Sequence, residues 1–125
     1  MELITIKEAP AAIGPYSHAV RLGDLLYLSG QVPFHPETGE IVGKTMAEQT
    51  RQALANADTI LKGVGLTRNN IVKTTVFLTN YDFFAEFNAA YGDFMGEHRP
   101  ARTAVEVSRL PKNALVEIEV LASFK

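Results

Sequence analysis

The segment LVEIEVLASF, Leu115 to Phe124, sets Val116, Ile118, Val120 and Ala122 on one side of an extended chain and Leu115, Glu117, Glu119 and Leu121 on the other. The first set suits a core. The second mixes leucine with glutamate and is neither ordinary core nor ordinary solvent surface. A second segment, IVKTTVFLT from Ile71 to Thr79, is rich in β-branched residues that favour a pleated surface, and it predicts a central strand. Its residues Ile71, Lys73, Thr75 and Phe77 form a similarly mixed face. A subunit interface with polar clefts accommodates both chemistries, because oligomer interfaces combine apolar patches with paired charges.

Outward from these strands, Thr45-Met46-Ala47-Glu48 has the spacing of a capping box and predicts a helix start. Met46, Ala53, Leu54, Ala57, Ile60, Leu61 and Val64 then recur at three- and four-residue steps, with Gly63 and Gly65 available to end the helix. Phe84, Phe87, Tyr91, Phe94 and Met95 share one face of a second helix, N-capped by Asn80 or Asp82 and ending near Gly96. Before the first helix, two short apolar runs flank Gly23-Asp24 within Ser17 to Gln31 and predict a hairpin, preceded by a strand at Leu3 to Ile6. Ala101 to Val107 predicts one more strand. With two helices among six strands, the expected architecture is α+β: a single six-stranded mixed sheet carrying both helices on one face, in a single domain spanning residues 1–125.

The chain has 125 residues, of which 12 are basic and 14 acidic, for a formal net charge of −2. These charges are scattered, so no basic stripe offers itself to a phosphate backbone and nucleic acid is not an expected partner. Cysteine is absent, which removes thiolate nucleophiles, disulfides and Cys-ligated metals. The segment MELITIKEAPAAIGPY lacks a basic start and a long apolar run, and no stretch approaches the ~20 apolar residues that span a bilayer. A cytoplasmic chain without membrane attachment is expected. His18, His35 and His98 show no metal-ligand spacing, and neither a P-loop, GxGxxG, HExxH nor Gly-x-Ser-x-Gly pattern occurs, so no metal or cofactor is expected.

Several residues could carry chemistry, each against a plainer reading. Arg102, two residues after Pro100, presents a fork suited to a carboxylate; an ordinary surface arginine explains it equally. Glu117 and Glu119 share the mixed face, where a carboxylate has a partner, solvent or a task, and periodicity does not separate them. Tyr16 sits in the turn Gly14-Pro15-Tyr16-Ser17, Ser29-Gly30 closes the second hairpin strand, and Asn88 lies on the face of Phe84 and Tyr91, where its amide is expected to be buried and hydrogen-bonded. Packing alone accounts for each of them.

Taken together, APAAIGPYSHAV, LYLSGQVP, KTTVFLT, FNAAY and RPARTAVEVSRLPKNALVEIEV resemble the RidA (reactive intermediate deaminase A) group of the Rid family nearly end to end. The resemblance implies a trimeric chorismate-mutase-like architecture with active sites in clefts between subunits. It also implies cofactor-independent hydrolysis of 2-iminobutanoate and 2-iminopropanoate to 2-oxo acids and ammonia. By motif, Arg102 corresponds to the clamp for the substrate carboxylate, and Glu117 to the residue that orients or activates water. Tyr16, Ser29, Gly30 and Asn88 correspond to pocket-lining residues. Thr103-Ala104 follows Arg102 where many relatives have Ser-Cys, so any role of that thiol is absent. The family's older description as an endoribonuclease or translation inhibitor, and a non-catalytic metabolite-binding or chaperone-like trimer, are the rival readings.

Overall fold

A computed structural model describes all 125 residues. Its strands are β1 (Glu2–Ile4), β2 (Ala19–Leu22), β3 (Leu25–Gln31), β4 (Ile71–Leu78), β5 (Ala101–Glu106) and β6 (Val116–Ser123), and its helices α1 (Met46–Gly63) and α2 (Phe84–Met95). They form one sheet in the order β1-β2-β3-β6-β4-β5. Every pairing is antiparallel except β4 with β5, which are parallel because α2 crosses between them. Strand β6 therefore joins the hairpin half of the sheet to the β4–β5 half.

Both helices pack on one face, as the alternation of β6 requires. Val116, Ile118, Val120 and Ala122 are buried against them, together with Leu26, Leu28, Val76 and Leu78 of the neighbouring strands. Helix α1 begins with the expected reciprocal cap: the Thr45 side chain accepts from the Glu48 N–H, and Glu48 accepts from the Thr45 N–H. Gly65, at φ +83°, takes the left-handed conformation just beyond its end.

Four expectations need correction. The first strand is shorter than Leu3 to Ile6. Asn80 caps a short 3-10 turn, Tyr81–Phe83, and α2 starts behind it without a side-chain cap. Asn88 is half-buried rather than buried. Ile71 does not belong to the mixed face: the β4–β6 register pairs Ile71 with Ala122 but Lys73 with Leu121, so one extra residue turns Ile71 into the core.

The face away from the helices is uncovered. It carries Leu3, Tyr27, Lys73, Thr75, Phe77, Val105, Glu117, Glu119 and Leu121, with Leu3 66% and Tyr27 46% exposed. Val105 is 40% exposed, so three large apolar side chains of this face are open to water beside its charged residues.

Candidate active site

Arg102 stands in register with Thr74, and parallel strands in register present their side chains to the same face. Thr74 is buried on the helix side, its hydroxyl 2.8 Å from that of Tyr91 in α2. Arg102 accordingly rises toward α2, where Nη1 donates to Asn88 Oδ1 at 2.8 Å. Its guanidinium lies 5.0 Å from the centre of the Tyr91 ring and 5.5 Å from that of Phe84, so the aromatic stripe that packs the helix also supports the cation. The guanidinium faces a cleft of about 470 Å³ lined by Asn88, Tyr91, Gly92, Arg99, Pro100 and Arg102. No carboxylate pairs with it. Burial pushes the Tyr91 hydroxyl up from its ordinary pKa, against the opposing pull of the Thr74 hydrogen bond and of Arg102 and Arg99.

Glu117 lies on the other side of the sheet. It pairs with Phe77, between the buried Val76 and Leu78, and projects from the uncovered face into a cleft of about 330 Å³. Ile13, Tyr16, Ser29, Gly30, Val32, Phe34 and Pro111 complete that cleft. The carboxylate makes no hydrogen bond or ion pair. Burial raises its pKa above the ordinary 4.5, and the nearby Glu119 adds to the rise.

The local chain path explains why Glu117 fits there. The β3–β6 register pairs Leu28 with Val120 and Gln31 with Ile118, so Ser29 and Gly30 together oppose the single residue Glu119, and this irregularity brings Gly30 against the side chain of Glu117. A Cβ on Gly30 would lie 2.9 Å from Glu117 Cδ and closer still to Oε2, so glycine leaves the space the carboxylate occupies. Ser29 Oγ donates to the Ser17 carbonyl at 2.6 Å and ties this irregularity to the segment carrying Tyr16, whose hydroxyl accepts from the Ile13 N–H at 3.3 Å. Beyond the strand, Asn56 of α1 donates to the carbonyls of Val32 and Phe34 at 3.0 and 2.9 Å and holds the outer wall of the cleft.

Four of the six expected residues thus meet in one cleft, Tyr16, Ser29, Gly30 and Glu117, while Arg102 and Asn88 meet in another. Within one chain the two groups are on opposite faces of the sheet. Sequence reading missed Arg99, whose only signal was its position three residues before Arg102, between the end of α2 and the start of β5. It also missed Asn56, one of three polar residues with Gln49 and Thr50 on the buried side of α1, where an unpaired amide is too costly to bury. The histidines are engaged structurally. His18 Nδ1 accepts from the Ile6 N–H at 2.9 Å while Nε2 meets the Pro10 carbonyl at 2.8 Å, and His98 Nε2 meets the Ile71 carbonyl.

Comparison with known proteins fits this geometry into a family. The 2-iminobutanoate/2-iminopropanoate deaminase of Escherichia coli K12 is 48% identical over 122 residues, covering 95% of this chain and 94% of that protein. The crystal structure of the YjgF gene product of E. coli superimposes with a TM-score of 0.94 at 45% identity over 100% of both chains. E. coli TdcF, solved with bound serine, gives 0.93 at 41% identity over 98% of each. Residues 6–124 match the family described as Endoribonuclease L-PSP, and with these relatives the chain belongs to the Rid family.

Proposed function

We propose that this protein is a cofactor-independent imine hydrolase that converts 2-imino acids with small side chains, and their enamine tautomers, to 2-oxo acids and ammonia. We further propose that it works in the cytoplasm as a homotrimer with its active sites between subunits. The reaction class is supported by the E. coli relatives that carry the name 2-iminobutanoate/2-iminopropanoate deaminase. The observation within this chain that carries the reading is Glu117: a half-buried carboxylate with no partner and a raised pKa, seated in a cleft made for it.

The chemistry asks little beyond placement. Water adds to C2 of R–C(=NH)–COO⁻, the C2–N bond breaks, and the products are R–C(=O)–COO⁻ and ammonia. Arg102 binds the carboxylate through charge-assisted hydrogen bonds, and Asn88 fixes the guanidinium's orientation. Glu117 takes a proton from the attacking water, a task for which a carboxylate with a raised pKa is suited. Ser29, Gly30 and Tyr16 line the space around the reacting imine. Because Arg102 and Glu117 occupy opposite faces of one sheet, their cooperation requires Arg102 of one subunit to meet Glu117 of its neighbour.

The test couples a threonine or serine dehydratase to 2-oxo acid release with and without this protein. Acceleration is expected. Arg102→Ala and Glu117→Ala should each lower kcat/KM for 2-iminopropanoate by at least ~10²-fold, the scale of a positioned acid–base or clamp group. Wild-type rates in either variant overturn the roles. RNA cleavage by purified protein that survives Arg102→Ala, without imine turnover, would favour the ribonuclease reading that the family description names.

A further inference from the structure

The Arg102 cleft holds a second guanidinium. Arg99 lines it beside Asn88, Tyr91, Gly92 and Pro100, and the lining includes no acidic residue. Nη1 of Arg99 donates to the carbonyls of Gly96 and His98, the latter at 2.9 Å, which fastens one end of the group to the turn after α2. Its Nε and Nη2 donors have no partner. Arg102 spends one nitrogen on Asn88 and is otherwise free. Neither arginine is in an ion pair, whereas Lys62 and Lys125 elsewhere on the chain are. Both guanidiniums also act on the Tyr91 hydroxyl, so their fields converge on the same wall of the cleft.

Two like charges beside one cavity repel each other until an anion enters, and together they present more positive charge than one carboxylate can neutralise. A substrate with a single carboxylate satisfies Arg102 alone. From this unspent charge we infer that Arg99 is a specificity-determining residue that receives a second carboxylate on the substrate side chain, so that 2-imino dicarboxylates, the imines of dicarboxylic amino acids, are favoured substrates of this site. The inference rests on the proposed imine hydrolysis and extends it to a substrate class. The reaction balances as before: water supplies the C2 oxygen, the C2–N bond breaks, and a 2-oxo dicarboxylate and ammonia leave.

The experiment compares imines formed in the cuvette by amino-acid oxidases from aspartate and from alanine, with the uncatalysed hydrolysis subtracted. The quantity read is the ratio of kcat/KM for the dicarboxylate imine to that for the monocarboxylate imine, in wild type, Arg99→Gln and Arg99→Lys. The ratio should fall about tenfold or more in Arg99→Gln, the effect of losing one charge-assisted contact, and less in Arg99→Lys. An unchanged ratio overturns the inference, including the case in which both substrates suffer equally because the two arginines share one carboxylate. Wild-type protein supplies a second readout that needs no variant: oxaloacetate should inhibit turnover of the alanine imine at least tenfold more strongly than pyruvate, and equal inhibition sinks the idea. If wild type hydrolyses neither imine, the proposed function itself has failed, a result distinct from turnover of both without preference.

Discussion

At the residue scale, the site depends on a carboxylate kept uncomfortable. Burial and Glu119 both favour the protonated form of Glu117, so its folded pKa lies above the unfolded value. Such a group stabilises the fold below its unfolded pKa, and that contribution is lost as pH rises through the folded value. At neutral pH Glu117 is therefore a net cost to the fold, and Glu117→Gln should keep or raise the thermal midpoint while removing turnover, as differential scanning fluorimetry beside the coupled assay will show. If the ionised form is the base, kcat/KM falls on the acid side at a pH above 4.5, and Glu119→Gln, which removes one cause of the rise, moves that limb to lower pH. A pH profile that ignores Glu119→Gln contradicts this assignment. Gly30→Ala places a methyl group in the space of the Glu117 carboxylate. Because the obstructed atoms end a flexible side chain, the fold should lose less than about 1 kcal/mol while turnover falls by roughly tenfold or more.

At the element scale, the cleft wall is held by a helix residue. Asn56→Ala leaves the Val32 and Phe34 carbonyls short of a donor in a buried place and should cost about 1–3 kcal/mol in denaturant unfolding, with a loss of activity from the loosened wall. A change within experimental error would show that water replaces the amide freely. The same scale shows what the sequence made legible. The alternation of Val116, Ile118, Val120 and Ala122 identified both the strand and its buried face, and Thr45 with Glu48 marked the start of α1, because these signals are local. Ile71 was misplaced because period-two reading cannot see an extra residue that is defined only by the partner strand. The bulge at Ser29-Gly30 was invisible for the same reason, and with it the purpose of Gly30. Glu117 was separated from Glu119 by resemblance and not by pattern; the structure supplies the missing physics, since one carboxylate is half-buried in a cleft and the other is exposed.

At the scale of the whole molecule, the separation of Arg102 from Glu117 makes a quantitative demand. In a cyclic trimer whose sites pair one subunit's arginine with the next one's glutamate, subunits carrying Arg102→Ala and subunits carrying Glu117→Ala are each inactive alone. Unfolded and refolded together in equal amounts, they should recover about a quarter of wild-type activity, because one random neighbour pairing in four contains both intact groups. No recovery from mixtures shown by mass analysis to contain hybrid oligomers would place both groups of the site within one chain. The position of β6 bears on how the molecule comes into being. The hairpin half of the sheet, made first, and the β4–β5 half, made later, touch through this strand alone, and β6 is the last of the six to leave the ribosome. Neither half of the sheet can bury its hydrophobic face completely until that keystone arrives, so folding waits for β6 to be synthesised, and a chain truncated after Leu115 leaves the β3 and β4 edges unpaired as prey for proteases.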